Sequence, residues 1–299
     1  MMKKNYPKNV TLIEVGPRDG FQFEARTLPT EIKLDIIEKL ANAGLKHIQV
    51  TSFVNPARVP QMVDAEQLVG RLPETDGVEY SGLVLNPRGV ERAYHSGLKF
   101  VEISISASDT HSRKNTGMTL EEARKMGMEM IRLARGYNLN IRAGIQCALG
   151  CVDEGPIPPQ RVLKIARSFL DCGIDALALS DTTGMGHPAS VENLLEILLP
   201  DTGKLPIIMH FHDTRGLGLV NVMTALEIGI TRFDTALGGM GGCPFVRGAA
   251  GNIATEDTAH LMAELDIETG VDISKVARCS NQLEKYFGKS FSGKIHRIC

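Results

Sequence analysis

Short apolar runs alternate with amphipathic segments along the whole chain. The first apolar run, 10–15, is rich in β-branched residues, which are typical of a buried strand. The segment 30–43 places Ile32, Ile36 and Leu40 at helical spacing, so one side of it is apolar. The start of the chain is therefore predicted to form a strand followed by a helix.

The same pair of elements repeats along the chain. Apolar runs of strand length lie at 10–15, 47–53, 78–85, 100–106, 141–149, 176–180, 207–212 and 233–237. Helical segments lie at 30–43, 63–72, a short stretch ending at 97, 119–137, 159–172, 191–199, 217–228, 255–265 and 273–286. Thr119 and Glu122 have the spacing of a capping box at the start of one of these helices.

Strand–helix repeats of this number predict an α/β fold, a single (β/α)8 TIM barrel. The strands are almost continuously apolar, as parallel strands buried on both faces should be. The alternative is a doubly wound open sheet, which usually carries a glycine-rich phosphate turn after its first strand. The turn Gly16-Pro-Arg-Asp-Gly20 lacks that pattern. We expect one domain over 1–299, with the barrel at 10–254 and two extra C-terminal helices within 255–299.

Composition excludes several classes of protein. The chain has 299 residues, 43% hydrophobic and 23% charged, with a formal net charge of −2, so we expect no nucleic-acid partner. No apolar run approaches the roughly 18 residues of a membrane span, so no membrane partner is expected. The first ten residues lack the apolar core of a secretory signal. Six cysteines are sparse for this length and favour reduced thiols in the cytoplasm.

The strand at 207–212 carries the first candidate chemistry. Its residues His210 and His212 are two positions apart, and alternate side chains of a strand lie on one face. Two imidazoles on one face can hold a divalent metal. The alternative is that one histidine is a core residue and the other lies at the surface.

A barrel would gather further polar residues around the same mouth, because catalytic groups lie at the carboxyl ends of its strands. Those residues are Arg18 and Asp19 after the first strand, Gln49 and Thr51 on the second, Asp181 and Thr182 after the sixth, and Cys243 and Asn252 after the eighth. Asp19, His210, His212 and Asn252 together form a mixed nitrogen and oxygen set that suits Mg²⁺ or Mn²⁺. Asp19 could instead only stabilise its turn, and Asp181 could only begin a helix.

The segment after the last strand is unusually rich in glycine. Residues 238–252 contain six glycines in fifteen positions, which is typical of a mobile lid or of backbone packed against a ligand. Cys243 lies near its centre, between Gly242 and Pro244. A structural cysteine more often lies on an apolar helix or strand face, so we expect Cys243 to act in catalysis or to contact substrate.

Several motifs, in order along the chain, resemble those of the 3-hydroxy-3-methylglutaryl-CoA lyase family of TIM-barrel metallolyases. They are Gly16-Pro-Arg-Asp-Gly-Phe-Gln22, Thr51-Ser-Phe-Val-Asn-Pro56, Val59-Pro-Gln-Met62, Cys147-Ala-Leu-Gly-Cys151, Asp181-Thr-Thr-Gly184, His210-Phe-His-Asp-Thr214, Gly241-Gly-Cys-Pro244 and Gly251-Asn-Ile-Ala-Thr-Glu-Asp257. The His-x-His and Asp-Thr-x-Gly motifs are shared with Claisen-condensing synthases of the same superfamily. The first and seventh motifs are specific to the lyase branch.

The resemblance implies roles for particular residues. A divalent metal, Mg²⁺ or Mn²⁺, would bind Asp19, His210, His212 and Asn252, and no nucleotide redox cofactor is expected. Arg18 would face the thioester carbonyl, Asp181 and His210 would transfer protons, and Cys243 would act from a closing loop. Gln22, Gln49, Thr51 and Thr182, with Arg18, would contact the substrate.

The resemblance also implies a reaction and an assembly. The expected substrate is an acyl-CoA, 3-hydroxy-3-methylglutaryl-CoA, cleaved by a retro-Claisen step to acetyl-CoA and acetoacetate. The resemblance also suggests a homodimer. The alternatives are a lyase for another 3-hydroxyacyl-CoA, a condensing synthase, and a weakly active CoA-binding protein.

One position departs from the family pattern. Gln49 stands where the resemblance leads us to expect glutamate, so the site loses a charge and a possible base. A slower lyase, a paralogue with another acyl substrate and a protein with little activity are all compatible with this change. A weakened lyase would gain turnover, by about tenfold, from Gln49→Glu. A site tuned for another acyl group would lose activity from the same substitution.

Overall fold

The eight predicted strands close into a parallel barrel whose strand order follows the sequence, so the predicted (β/α)8 fold is confirmed. The structure is a computed structural model, and it describes residues 6–242 and 250–299. The strands are β1 (Thr11–Glu14), β2 (His47–Ser52), β3 (Glu79–Val84), β4 (Phe100–Ser106), β5 (Asn140–Gln146), β6 (Ala176–Asp181), β7 (Ile207–Phe211) and β8 (Arg232–Thr235). β8 pairs with β1 and completes the closure.

Helices surround the barrel and bury their apolar sides against it. They are α1 (Thr30–Asn42), α2 (Ala65–Val69), α3 (Pro87–His95), α4 (Asp109–Thr116), α5 (Leu120–Gly136), α6 (Pro159–Leu170), α7 (Pro188–Thr202), α8 (Gly218–Ile228), α9 (Thr255–Glu264) and α10 (Ile273–Phe287). The last two are the predicted C-terminal helices. The capping box of Thr119 and Glu122 at the start of α5 is confirmed. Within the described ranges, no helix combines the length and apolar character needed to cross a membrane.

Two elements differ from the predicted pattern. The segment after β4, which has no apolar periodicity, forms the helix α4, because the Ser108 hydroxyl accepts a hydrogen bond from the His111 amide and caps it. β5 ends at Gln146, earlier than expected, because Cys147 has a φ of 54°. That left-handed backbone cannot continue a strand.

A buried carboxyl group ties the closing seam of the barrel together. Glu14, at the end of β1, accepts hydrogen bonds from the amides of Gly16 (2.7 Å) and Leu237 (3.0 Å). Its second oxygen accepts from the Thr255 hydroxyl at 2.7 Å. Burial raises the pKa of Glu14 to about 8, although these hydrogen bonds oppose the shift. The seam is therefore most stable when Glu14 is protonated.

This raised pKa predicts how stability changes with pH. An acid whose pKa is higher in the folded than in the unfolded chain loses stability as pH rises towards the folded pKa. Between pH 6 and pH 9, Glu14 should reduce the free energy of unfolding by about 2–3 kcal/mol. Glu14→Gln keeps the shape and removes the titration, so urea unfolding of this variant should show a smaller decline. Parallel declines in the two proteins would contradict the assignment.

Candidate metal and substrate site

Three predicted metal ligands meet at one end of the barrel. Asp19 lies in the helical turn 16–20 after β1, while His210 and His212 lie at the end of β7. One ligand atom from each residue lies within 4.8 Å of the others, and all three residues are buried. The Nε2 atoms of the two histidines are 3.1 Å apart. The strand alternation proposed for His210 and His212 therefore holds.

The fourth predicted ligand, Asn252, completes the group. Its Nδ2 donates to Asp19 Oδ2 at 2.7 Å and to the Met240 carbonyl at 2.9 Å. Its Oδ1 is buried, and within the described part of the chain nothing donates to it. Since buried acceptors nearly always have a partner, this oxygen indicates a missing electropositive group. Two imidazoles, a carboxylate and an amide oxygen fit a divalent metal ion.

The electrostatics of the cluster leave its ligands ready to bind. Burial would raise the pKa of Asp19, but Arg18, His210 and His212 outweigh it and lower that pKa. Burial, reinforced by His210, lowers the pKa of His212 to about 3. Asp19 is therefore ionised and His212 neutral at physiological pH, and these are the forms that coordinate a metal.

A buried ion pair orients His210. Asp234 Oδ2, on β8, accepts a hydrogen bond from His210 Nδ1 at 2.9 Å, which directs Nε2 towards the metal ligands. Arg142, on β5, donates to both oxygens of Asp234, through Nη1 at 2.8 Å and through Nη2. Burial alone would raise the pKa of Asp234, but Arg142 and His210 lower it to about 2. Asp234 therefore stays ionised and holds the imidazole in one tautomer.

Gln49 connects two further charged residues. Its Oε1 accepts a hydrogen bond from Arg18 Nε, and its Nε2 donates to Glu102 Oε2 at 2.6 Å. Arg142 Nε lies 3.3 Å from the same Glu102 oxygen. Arg18, Gln49, Glu102 and Arg142 thus form one buried chain across the barrel interior. Glu102, on β4, therefore already places a carboxylate beside Gln49.

The sequence reading missed Glu102, Arg142 and Asp234. The available signal was a charged residue directly after a large apolar residue within each of three buried strands, β4, β5 and β8. A lone charge in a buried strand has to find a partner of opposite sign or coordinate a metal. Which charges would pair could be read only from the closed barrel.

A cavity of about 750 Å³ opens beside the metal ligands. Its lining includes Arg18, Gln22 and Thr182 from the predicted set, together with Asp19 and both histidines. The Thr182 hydroxyl accepts a hydrogen bond from the Cys147 amide at 2.9 Å. A cavity of this size suits a small acyl group with part of its carrier.

Gln49 and Thr51 do not occur among the described residues that line this cavity. The pairing of β2 with β3 shifts register between Gln49 and Thr51, which interrupts the regular alternation of side chains along β2. The Thr51 hydroxyl lies 3.6 Å from the Met62 sulfur. Contact of either side chain with substrate therefore stays a prediction.

Asp181 is the last residue of β6, one position beyond the predicted end of that strand. Its carboxylate accepts hydrogen bonds from the amides of Met185 (2.9 Å) and Gly186 (3.0 Å). Burial raises the pKa of Asp181 to about 6, against the opposing effect of these bonds. The group can therefore change protonation close to neutral pH. Cys243, the last predicted catalytic residue, lies outside the described residues.

A metal-ligand cluster at the carboxyl ends of barrel strands, beside a cavity with a buried arginine, defines a barrel metalloenzyme. The chain belongs to the HMGL-like family, whose profile matches residues 9–283. It is 40% identical to the Bacillus subtilis hydroxymethylglutaryl-CoA lyase YngG, over 95% of both chains. It is 38% identical to the rat cytoplasmic 3-hydroxy-3-methylglutaryl-CoA lyase, over 97% of this chain and 84% of that one.

Solved structures agree with the sequence relatives. The crystal structure of the Bacillus subtilis HMG-CoA lyase superposes with a TM-score of 0.95 at 39% identity, covering 98% of both chains. An Acinetobacter baumannii HMG-CoA lyase in complex with coenzyme A and 3-methylmalate superposes with a TM-score of 0.93 at 34% identity, covering 97% and 95%. The predicted class of enzyme, a carbon–carbon lyase, is confirmed.

The metal site makes a direct prediction about binding. His212→Ala removes one imidazole ligand and should weaken Mn²⁺ binding at least 100-fold, about 2.7 kcal/mol. Isothermal titration calorimetry with Mn²⁺ would measure the change, and circular dichroism would show whether the fold is intact.

His260→Ala is the matched control, because His260 is an exposed histidine on α9. This variant should bind Mn²⁺ like the unmodified protein. Equal Mn²⁺ affinity in all three proteins would rule out the proposed ligand set.

Proposed function

We propose that this protein cleaves 3-hydroxy-3-methylglutaryl-CoA to acetyl-CoA and acetoacetate, and that it uses a divalent metal, Mg²⁺ or Mn²⁺. One observation carries the proposal: Asp19, His210 and His212 line a cavity together with Arg18, and they lie beside Asn252, whose Oδ1 has no donor among the described residues. The lyases among its relatives support the choice of substrate.

Each residue has a defined task in this reaction. When bound, the metal would supply Lewis acidity that favours ionisation of a substrate hydroxyl. Arg18, held by Gln49 and Asp19, presents its remaining N–H groups to the thioester oxygen, where negative charge develops as the C2–C3 bond breaks. Asp181 and His210 are the candidates for moving the proton, and the pKa of about 6 at Asp181 supports that role.

The remaining roles rest on the sequence and the family. Gln22 and Thr182 would contact substrate, because both line the cavity. Gln49 would position Arg18, Thr51 would support β2, and Cys243 would act from the glycine-rich loop. Residues 1–299 would work as one lyase domain, in a homodimer located in the cytoplasm. Light scattering of the purified protein would test the dimer.

The reaction can be tested against the condensing alternative. With Mn²⁺ and 3-hydroxy-3-methylglutaryl-CoA, the purified protein should release acetyl-CoA and acetoacetate in equal amounts and no free thiol. A condensing synthase would join acetyl-CoA to a 2-oxoacid and release CoA thiol instead. Mass spectrometry of the products, together with a thiol dye, separates the two. Thiol release with any 2-oxoacid would overturn the lyase proposal.

Gln49→Glu should lower activity rather than raise it, because the Gln49 amide donates a hydrogen bond to the Glu102 carboxylate. The new carboxylate would lie 2.6 Å from an oxygen of Glu102. Two such carboxylates must share a proton or separate. Either outcome disturbs Arg18, so kcat/KM should fall at least tenfold, about 1.4 kcal/mol.

The double variant Gln49→Glu/Glu102→Gln is the matched control. It exchanges the amide and the carboxylate without changing the net charge, and it should recover part of the lost kcat/KM. A rise in kcat/KM for the single variant would show that the carboxylate belongs at position 49.

A further inference from the structure

Part of the cavity wall consists of polar side chains that keep free hydrogen-bonding atoms in the described part of the chain. Glu102 and Ser104 lie on β4, Gln146 on β5 and Ser180 on β6, and all four line the cavity. Among the described residues, none of the Ser104, Gln146 and Ser180 side chains has a hydrogen-bond partner. We call these four residues the polar wall.

Glu102 is the charged member of the polar wall. Only 5% of its surface is exposed, and its Oε2 is occupied by Gln49 Nε2 at 2.6 Å and by Arg142 Nε at 3.3 Å. The hydrogen bond from Gln49 and the ion pair with Arg142 fix the carboxylate in place. In the described part of the chain, Oε1 has no donor. A carboxylate oxygen can only accept, so its missing partner must carry an N–H or O–H group.

Gly144 keeps the wall accessible. A Cβ at this position would lie 2.8 Å from Glu102 Oε1 and 2.7 Å from Ser104 Oγ. Both oxygens therefore converge on the space above Gly144, between β4 and β5. A larger residue would fill that space and cover both oxygens. Ser104, 5% exposed, can donate or accept, so the pair can hold one hydroxyl group as donor and acceptor.

Ser180 on β6 pairs with the metal-ligand candidate His210 on β7, and Gln49 links Glu102 to Arg18, so the wall can reach a substituent of an acyl group held at the metal ligands. These atoms face the cavity, where water can reach them, and an apolar methyl group packed against the wall would displace that water without replacing its hydrogen bonds, which costs free energy. A site built to bind a hydroxyl group discriminates strongly against analogues that lack one.

We infer that the polar wall binds a hydroxyl group on the C3 substituent of the acyl chain, and that the protein also cleaves 3-hydroxyacyl-CoAs in which 3-hydroxymethyl replaces 3-methyl. This inference rests on the proposed lyase function. The C3 hydroxyl loses its proton, and the C2–C3 bond breaks as the C3 carbonyl forms. The electron pair of the C2–C3 bond passes to the acetyl-CoA enolate, which takes up one proton to give acetyl-CoA. The second product is 4-hydroxyacetoacetate, and nothing is oxidised or reduced.

Two substrates of equal size test the inference. They are 3-hydroxy-3-(hydroxymethyl)glutaryl-CoA and its 3-ethyl analogue, which differ only by a terminal hydroxyl in place of a methyl. With Mn²⁺ present, kcat/KM should be at least tenfold higher for the hydroxymethyl compound. A smaller ratio would overturn the inference and would mean that water, rather than substrate, satisfies the wall.

Substitutions in the polar wall test which side chains produce the preference for the hydroxymethyl compound. Ser104→Ala should lower the hydroxymethyl-to-ethyl ratio of kcat/KM at least threefold, and Glu102→Gln should lower that ratio further. Ser168→Ala is the control, because Ser168 lies on α6, where its hydroxyl donates to the Lys164 carbonyl, and it is not among the described residues that line the cavity. A ratio unchanged by Ser104→Ala would overturn the inference even if Glu102→Gln failed to fold.

Failure of the lyase proposal would give a different result. In that case 3-hydroxy-3-methylglutaryl-CoA would also remain uncleaved. Calorimetric affinities of the hydroxymethyl and ethyl compounds would then decide the inference alone. Tighter binding of the hydroxymethyl compound by tenfold or more would support the polar wall, and any smaller difference would overturn it.

Discussion

The rest of the site depends on the ion pairs that Arg142 makes inside the barrel. Its guanidinium is buried inside the barrel, where a charge is tolerated only with close partners. Asp234 on β8 and Glu102 on β4 supply those partners. Because Asp234 also accepts from His210, and Glu102 also accepts from Gln49, one cation fixes both arms of the site. Loss of Arg142 would leave two buried carboxylates without compensation.

The balance of buried charge explains why an amide at position 49 suits this interior. Arg18 and Arg142 contribute two positive charges, while Asp19, Glu102 and Asp234 contribute three negative charges, which leaves a net charge of −1. A divalent cation would convert this to +1, which favours an anionic substrate. A further carboxylate beside Glu102 would remove that advantage. The Gln49 amide links Arg18 to Glu102 without adding a charge.

The barrel supplies the rigidity that these contacts need. Glu102, Arg142 and Asp234 project from strands whose other face packs in an apolar core, where Ile103, Ile141 and Phe233 are fully buried. Their packing holds the backbone of β4, β5 and β8 in place. The charged side chains can therefore meet at fixed distances, and the cost of burying them is offset by a core that does not depend on them.

The sequence by itself determined the barrel and predicted the four candidate metal ligands. Hydrophobic periodicity is local, so the strands and helices could be predicted from neighbouring residues, and the barrel places strand ends together whatever their separation in sequence. His210 and His212 followed from alternation, and Asp19 and Asn252 from their place after strands. Only the tertiary structure decided which buried charges pair. Arg142, Glu102 and Asp234 lie on three different strands, and their contacts depend on register and side-chain direction across the closed barrel, which no local pattern encodes.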